Sequence, residues 1–432
     1  MSKLEELIEQ YCPDGVEWHP FFDVCDLIRG ITYNKEQEAK TQADDAYKVL
    51  RANNITLHLN ILNFEDVKLV SKDVMVKPTQ HLFAGDILMC AGSGSKEHVG
   101  KVAFIPENMD YTFGGFMAVV RCKDAILPRF VYHILTSGYF SNHLDVQISS
   151  STINNINKQV MQSFEIPVPP LPVQEEIVRI LDAFTELQAE LQAELQKRKQ
   201  QYNYYLDNLL NFKDINRGGY QAEVRWMKMS EVFETITDYT AAGSFKSIAE
   251  NVKYLKSPDY AMLIRTTDLK SRFRKGDFIY VSKSAFDYLW RVKMDKECIV
   301  MPNVGNCGEI YYVHPNSLPY DNCALAPNAI LVRSKLFNNK YLSYCLQVEC
   351  FQKQLAKITS PVGQSKFNKT ELKKLLVPIP SLADQQKIVD ILDRFDTLTT
   401  DLTQGLPAEI EKRRQQYEYY RDKLLTFKRK GA

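Results

Sequence analysis

The sequence predicts an α/β (α+β) fold built as a pseudo-two-fold internal repeat, in which two globular domains are joined by two long helices that form an antiparallel coiled coil. Two observations predict it: a Pro-rich, helical segment occurs twice, and each copy carries apolar residues at heptad spacing. The order along the 432 residues is globular, helical, globular, helical. The predicted boundaries are 1–165, 166–213, 214–376 and 377–432.

The two helical segments have nearly the same sequence. The first begins IPVPPLPVQEEIVRILDAF at Ile166 and the second VPIPSLADQQKIVDILDRF at Val377, with ten of nineteen positions identical at an offset of 211. Each ends in a second block, KRKQQYNYYLDNLLNFK from Lys197 and KRRQQYEYYRDKLLTFK from Lys412, now at an offset of 215. The second copy has therefore gained four residues. Gly405 and Pro407 lie in this insertion and predict a break or kink in the second helix.

The apolar residues of each helical segment alternate in steps of four and three, which is the a/d pattern of a coiled coil. A helix of about forty residues extends about 60 Å and cannot bury such a stripe alone, so the two copies are predicted to pair with each other. The seam comprises Ile177, Leu181, Phe184, Leu191, Leu195, Tyr202, Tyr205, Leu209 and Phe212 in the first copy. In the second copy it comprises Ile388, Leu392, Phe395, Leu402, Tyr417, Tyr420, Leu424 and Phe427.

The globular segments repeat only weakly. Arg51 recurs as Arg265, each at the end of a strand-like run, and Asn157-Lys158 recurs as Asn368-Lys369. Most other positions differ. The repeat therefore predicts a shared frame that presents two distinct faces.

Composition and charge describe a globular protein with one basic domain. Hydrophobic residues make up 45% of the chain and charged residues 25%, and the net charge is +1. Residues 1–165 hold 15 Lys and Arg against 21 Asp and Glu, a net charge of −6, whereas residues 214–376 hold 24 against 16, a net charge of +8. The asymmetry points to a polyanionic partner for the second domain.

These features together resemble the specificity subunit of type I restriction-modification enzymes. The resemblance rests on two unlike domains, each followed by a lead-in of the IPxPPLxxQxxIVxxLD kind and a long helix ending KRxQQYxYYxxxLLxF, and it covers essentially the whole chain. It implies two target-recognition domains, each of which reads one half of a bipartite, asymmetric site in double-stranded DNA.

The resemblance also implies the partners of the chain. The paired helices set the spacing of the two domains and dock two methyltransferase (modification) subunits, and a restriction/translocase subunit joins that core. The chain itself is expected to be non-catalytic and to hold no cofactor. S-adenosylmethionine, ATP and Mg²⁺ are expected on the partner subunits.

In the second domain the candidate DNA-binding residues are basic and aromatic, since Lys and Arg can neutralise phosphates and Arg can grip a guanine edge. They form three runs. These are Lys246, Lys253, Tyr254 and Lys256; Arg265, Lys270, Arg272, Arg274 and Lys275; and Lys283, Tyr288, Arg291 and Lys293. Each run is also compatible with an ordinary solvated face.

In the first domain the candidates are small hydroxyl residues, with an aromatic and two lysines, on polar or Gly-rich loops that suit phosphate and base-edge hydrogen bonds. They are Thr32, Tyr33, Lys35, Ser93, Ser95, Lys96, Ser150, Ser151 and Thr152. Ordinary turns use the same residue types.

Two other functions remain open at this point. One is an interaction scaffold whose coiled coil binds protein and whose domains have no DNA specificity. The other is a metal-dependent nuclease, because Pro258-Asp259 followed by Asp268-Leu269-Lys270 fits the PD…(D/E)xK pattern. The repeat argues against the nuclease, since Asn54 occupies the position that matches Asp268.

Motifs for other chemistry are missing from the sequence. The sole Pro-Pro pair, Pro169-Pro170, lacks the Asn or Asp and the aromatic residue of an amino-methyltransferase motif, and no phosphate-binding loop occurs. Nine cysteines without a CxxC pair indicate idle thiols in a reducing cytoplasm, and the histidines lack metal-ligand spacing. No membrane span and no secretory signal are expected, so we predict a cytoplasmic protein.

Overall fold

The computed structural model describes residues 2–38, 46–57, 60–148, 155–210, 212, 224–274, 276–360, 365–400 and 405–431. Its strands in the first repeat are β1 (Trp18–Pro20), β2 (Cys25–Arg29), β3 (Ala46–Leu50), β4 (Lys68–Ser71), β5 (Ile87–Cys90), β6 (Val102–Phe104), β7 (Thr112–Phe113), β8 (Met117–Cys122) and β9 (Glu165–Pro167). Those in the second are β10 (Arg225–Lys228), β11 (Thr235–Asp238), β12 (Ala261–Ile264), β13 (Ile279–Val281), β14 (Cys298–Pro302), β15 (Tyr311–Val313), β16 (Cys323–Leu325), β17 (Ala329–Arg333) and β18 (Leu376–Ile379).

The helices follow the same repeat. The first repeat contains α1 (Lys3–Tyr11), α2 (Phe21–Val24), α3 (Pro128–Leu135), α4 (Gly138–Ile148), α5 (Lys158–Gln162) and α6 (Leu171–Leu210). The second contains α7 (Met229–Val232), α8 (Phe245–Asn251), α9 (Thr266–Lys270), α10 (Lys283–Tyr288), α11 (Asn339–Cys345), α12 (Glu349–Ile358), α13 (Lys369–Leu372), α14 (Leu382–Thr400) and α15 (Leu406–Leu424).

The sheets of the two repeats have the same topology, which confirms the predicted α/β internal repeat. The first repeat has a four-stranded antiparallel sheet in the order β2-β8-β5-β6, a three-stranded sheet β4-β3-β7 and the pair β1-β9. The second has β11-β17-β14-β15, β13-β12-β16 and β10-β18. In each three-stranded sheet the middle strand, β3 or β12, is antiparallel to one neighbour and parallel to the other. The central strands β5 and β14 are buried at every residue.

The residues that recur in the globular segments are those that form the frame. Asn157 and Asn368 cap α5 and α13, and each side chain accepts a hydrogen bond from the backbone three residues ahead. Arg51 and Arg265 directly follow β3 and β12, and the backbone N–H of each donates to the side chain of the residue three positions on, Asn54 or Asp268, at 2.8 and 2.9 Å. Local capping therefore explains why these positions repeat.

The first long helix is continuous and the second is broken, as predicted. Helix α6 runs for 40 residues, whereas α14 and α15 have 19 residues each. Pro407 lies in the first turn of α15, where a missing N–H costs nothing and the fixed φ favours helix initiation. Leu402 of the predicted seam falls outside the described residues.

The long helices pair antiparallel. Phe184 of α6 stacks on Tyr420 of α15 with ring centroids 5.5 Å apart, and Tyr205 of α6 stacks on Phe395 of α14 at 5.0 Å. A later residue of α6 therefore contacts an earlier residue of the second copy, as expected for antiparallel helices. Of the other seam residues, Ile177, Leu181, Leu195, Ile388, Leu392 and Tyr417 are buried, and Leu191, Tyr202, Leu209, Phe212, Leu424 and Phe427 are partly buried.

The chain divides into two units that do not coincide with the sequence repeat. Unit 1 consists of Met1–Ala193 with Glu409–Ala432, and unit 2 of Glu194–Ala408. Each unit therefore contains one globular domain, which we call a recognition domain, and helical segments from both copies. The predicted boundaries at 165/166 and 376/377 fall inside strands β9 and β18, which pair with β1 and β10 and so belong structurally to the recognition domains.

A buried glutamine ties each long helix to its recognition domain. In unit 1 the Gln174 amide donates to the Pro169 carbonyl at 2.7 Å and accepts from the Leu127 N–H, at the start of α3, at 2.8 Å. In unit 2 Gln385 donates to the Pro380 carbonyl at 3.0 Å and accepts from the N–H at the start of α11 at 3.1 Å. Both glutamines are fully buried. Their identity in the two copies follows from this shared role.

A second buried contact differs between the units. His133 of α3 lies 2.8 Å from the Asp182 carboxylate through Nε2 and 3.0 Å from the Tyr417 hydroxyl through Nδ1. In unit 2 the matching position is Tyr344, whose hydroxyl donates to Asp393. Burial lowers the pKa of His133, and the hydrogen bond to Asp182 opposes this only in part. Unit 1 therefore holds a neutral imidazole where unit 2 holds a phenol.

His133→Tyr is expected to flatten the pH dependence of stability between pH 7.5 and 5.5. Because the folded pKa of His133 lies below the unfolded value of about 6.5, the unfolded chain gains a proton first and wild-type stability falls as pH drops. Tyrosine does not titrate in this range. Thermal unfolding at the two pH values measures the effect, with the half-exposed His19→Gln as control. An unchanged pH slope in His133→Tyr would contradict the assignment.

Candidate nucleic-acid interface

The first recognition domain has a cleft of about 940 Å³ at one end of its four-stranded sheet. It lies where β2 ends, where β5 runs into the Gly-rich loop and where β8 begins. Three of the predicted residues line it, namely Thr32, Tyr33 and Ser93. Other lining residues that sequence reasoning did not single out as DNA-binding are Arg51, Asn53, Phe116 and Asn155.

The loop before β8 presents an aromatic ring to this cleft. The backbone carbonyl of Phe116 accepts hydrogen bonds from the N–H groups of Ala91 and Gly92, both at 2.9 Å, so the loop is held against the end of β5. The Phe116 side chain is nevertheless 76% exposed. An exposed phenyl ring on a fixed backbone can bury its apolar surface against the edge of a base, for example a thymine methyl group.

Polar groups of the first cleft are held in place by contacts within the domain. Arg51 is oriented by an ion pair from its Nη2 to the Asp66 carboxylate at 2.7 Å, and the Asn53 amide donates to the same oxygen at 2.8 Å. The Arg51 Nε is buried and has no hydrogen-bond partner within the described part of the chain. A buried donor without a partner is costly, but a ligand can reach this atom only if the Arg51 side chain shifts.

The second recognition domain has a cleft of about 600 Å³ at the equivalent place. The equivalence follows from the backbone: the Asn303 N–H donates to the Asn328 carbonyl at 3.1 Å, as the Ala91 N–H does to that of Phe116. The bridge from Val304 to Lys366 likewise repeats the bridge from Gly92 to Asn155.

The lining of the second cleft is different. It contains the aromatic residues Tyr239, Phe245 and Tyr254, of which Phe245 is 83% exposed. The Tyr254 hydroxyl donates to that of Tyr239 at 3.3 Å, and burial together with this contact raises the pKa of Tyr239. The orphan polar atom here is an acceptor, because the buried Asn303 Oδ1 has no partner among the described residues. The two clefts therefore share a position and differ in chemistry.

Many of the predicted basic residues of the second domain are paired with carboxylates. Lys283 and Lys293 both contact Asp287, at 2.7 and 3.2 Å, and Lys270 pairs with Glu309. Arg265 pairs with the buried Asp268. These four basic side chains therefore already have acidic partners within the domain.

The remaining second-domain candidates are spread over the surface. Of the twelve candidates that the structure describes, only Tyr254 lines the cleft. Tyr288 bonds to Ser247 at 2.8 Å, and Arg291 donates to a backbone carbonyl. Lys246, Lys253, Lys256, Arg272 and Arg274 are exposed, and Lys275 lies outside the described residues.

The first-domain candidates outside the cleft lie on neighbouring loops or are not described. Ser95 donates its N–H to the Ser93 hydroxyl at 3.2 Å, and Lys96 pairs with Asp145 at 2.8 Å. Lys35 is exposed on a short 3-10 turn. Ser150, Ser151 and Thr152 lie outside the described residues.

The structure gives the nuclease pattern a different role. Asp268 is buried in the first turn of α9, where its carboxylate accepts hydrogen bonds from the backbone and side chain of Arg265, whereas Asp259 is exposed. In the part of the chain that the structure describes, no group of three or more His, Cys, Asp or Glu side chains is arranged to hold a metal ion. The nuclease alternative therefore has no structural support.

Comparison with known proteins decides the family. The model of the type I restriction modification DNA specificity domain matches residues 13–200 and again residues 221–412. The chain belongs to the family of type I DNA specificity subunits. This membership identifies the chain as a DNA-specificity subunit that works in a complex with other subunits, and nothing in it supports the scaffold without DNA specificity.

Relatives of the specificity subunit match along most of its length. An Escherichia coli type I restriction enzyme specificity subunit is 32% identical over 72% of this chain and 73% of its own. A Haemophilus influenzae protein, provisionally named a type I specificity subunit, is 28% identical over 98% of both chains. A solved chain from a study of complex assembly in the type I restriction-modification system covers 95% of this chain and 97% of its own, with 15% identity and a TM-score of 0.56, and so has the same fold. Among the described residues of the specificity subunit, no helix has both the length and the apolar character to cross a bilayer.

Proposed function

We propose that each recognition domain of this specificity subunit reads one half of a bipartite, asymmetric DNA site, and that its cleft supplies base contacts. The supporting observation is that two clefts at equivalent places on a shared frame have unlike linings. A shared frame fixes how each domain meets the duplex, whereas unlike side chains accept different base edges. Two half-sites of different sequence follow from this.

The partners in this proposal are two methyltransferase (modification) subunits and a restriction/translocase subunit, in the cytoplasm. The specificity subunit positions the DNA, and the methyltransferase subunits extrude an adenine from the stack and methylate it, since a base inside the duplex is out of reach. S-adenosylmethionine, ATP and Mg²⁺ belong to those partners. Family membership supports this arrangement.

Mapping methylated adenines tests the proposal. The specificity subunit is co-expressed with the cognate methyltransferase subunit, and modified adenines are located across the host genome. We expect one gapped motif with two unlike halves. Methylation at a continuous motif, or no methylation by an assembled complex that holds S-adenosylmethionine, would contradict the proposal.

Phe116→Ala is expected to weaken binding of the complex to its cognate DNA about tenfold to a hundredfold, because burying a phenyl side chain against a base edge, such as a thymine methyl group, contributes about 1.5–3 kcal/mol. The effect should be confined to the half-site that the first domain reads. Titration with duplexes in which one half or the other is scrambled separates the two halves. Phe64→Ala removes an aromatic side chain that is also exposed but does not line the cleft, so it serves as the control. Equal losses in both variants would exclude a role for the cleft.

A further inference from the structure

One wall of the first cleft brings a phenyl ring and an amide close together. Phe116 and Asn155 both line this cleft, and both residues are exposed. They flank Gly92, because a methyl group on that residue would lie 3.2 Å from the Phe116 Cδ1 and 3.5 Å from the Asn155 Oδ1. A backbone bridge between Gly92 and Asn155 holds the amide at this place. The wall therefore combines an apolar surface with a polar group.

Arg29 determines which end of the Asn155 amide is left for a ligand. Arg29 is the last residue of β2, and its Nη2 donates to the Asn155 Oδ1 at 2.9 Å and to the backbone carbonyl of Ile156. A guanidinium group can only donate hydrogen bonds, so the atom of the amide that faces Arg29 must be the oxygen. The amino group of Asn155 has no acceptor among the described residues. The amide thus offers the cleft a hydrogen-bond donor.

A donor beside an apolar ring matches the edge of one base. In the major groove thymine presents the O4 acceptor and the C5 methyl group. Guanine presents two acceptors, adenine an acceptor and an amino donor, and cytosine an amino donor. Among the four bases, thymine is therefore the one whose major-groove edge combines an acceptor with an apolar group.

The second domain has different residues at all three places. Asn328 replaces Phe116 and Lys366 replaces Asn155, as the backbone contacts of the two clefts show. Asp238 replaces Arg29, since each ends its strand and pairs with the second residue of the neighbouring strand, β8 or β17. The Asp238 carboxylate accepts a hydrogen bond from Lys369 at 2.8 Å. The combination of a phenyl ring and an oriented amide is thus confined to the first of the two clefts.

Resting on the proposed function, we infer that Phe116 and Asn155 read a thymine in the half-site of the first domain. Phe116 covers the methyl group, and the Asn155 amino group donates to O4. Arg29 does not touch the base. It is a positioning residue, because it holds the Asn155 oxygen away from the ligand and leaves the amino group to bind.

Replacement of thymine by uracil tests the contact with Phe116, since it removes the methyl group and nothing else. The thymines of the first half-site, on both strands, are replaced one at a time in duplexes that carry the methylated motif. Binding is measured with the specificity subunit assembled with its methyltransferase subunits. We expect one position at which uracil weakens wild-type binding about fourfold, as when one methyl group is no longer buried. At that position uracil should not weaken binding by Phe116→Ala any further.

Replacement of the same thymine by 5-methylcytosine, paired with guanine, tests the contact with Asn155. It retains the methyl group and exchanges the O4 acceptor for an amino donor. Wild-type binding should fall about tenfold. Asn155→Ala and Arg29→Met should bind the two duplexes about equally, a change in base preference that a merely structural role of these residues would not produce. Asn142→Ala, exposed on α4 outside the cleft, should discriminate as the wild type does.

Three results would overturn this assignment and leave the reading of a bipartite site intact. They are a first half-site without thymine, a half-site in which no uracil weakens binding, and full discrimination against 5-methylcytosine by Asn155→Ala. A continuous methylated motif would instead overturn the proposed function. Thermal unfolding shows whether the variants are folded, and if Arg29→Met is not, the result with the exposed Asn155 decides.

Discussion

Exchange of residues 1–168 for the equivalent domain of another specificity subunit is expected to replace one half of the methylated motif and to leave the other half unchanged. The cut follows Val168 because β9 pairs with β1 and the Val168 N–H donates to the Glu17 carbonyl at 2.9 Å. A cut at residue 165, as the sequence suggested, would divide β9. The expected change in preference is large, since the affinity of such a protein for its specific site exceeds its affinity for non-specific DNA by about 10³- to 10⁷-fold.

Methylation mapping of the chimaera reads both halves at once. The reciprocal exchange of residues 224–379, which keeps β10 paired with β18, should alter the opposite half. A chimaera that changes both halves, or that retains the original motif, would show that the recognition domains are not independent readers.

Gln174→Ala is expected to destabilise unit 1 by about 2–4 kcal/mol, because it leaves a buried N–H and a buried carbonyl without partners. The Leu127 N–H loses its acceptor and the Pro169 carbonyl loses its donor. The start of α6 would then lose its anchor on α3. Chemical denaturation followed by circular dichroism measures the loss in the free energy of unfolding.

Gln196→Ala provides the comparison, since that side chain is exposed on the same helix. Its effect should stay within about 0.5 kcal/mol. Similar losses in both variants would mean that the buried hydrogen bonds of Gln174 contribute little. Gln385→Ala should repeat the Gln174 result in unit 2, because the two amides have the same kind of partners.

The features that the sequence predicts well are those that depend on residues close together along the chain. The heptads and the insertion around Gly405 and Pro407 predict one continuous and one broken helix, and the structure has both. The recurrence of Arg51 as Arg265 predicts a common frame, because a capping interaction spans only three residues. Interactions of this kind can be recognised from a short segment of the sequence.

The clefts could be predicted only in part, because their walls come from distant segments. Thr32, Tyr33 and Ser93 are found among polar loop residues, but Phe116 joins them only through the pairing of β8 with β2 and β5. In the second domain, counting lysines overstates the basic surface. Lys283 and Lys293 share Asp287, which a search for positive runs passes over.

The composition of unit 1, residues 1–193 with 409–432, bears on how such a protein arises. A chain with a single repeat would have one recognition domain and one long helix, and it would lack the helical segment that the other copy contributes. Two such chains could supply that segment to each other. The two recognition domains would then be identical, so the DNA sequence that the pair recognises would be a palindrome. Fusion of a duplicated gene removes that constraint, since each recognition domain can then change separately while the helical segments stay alike.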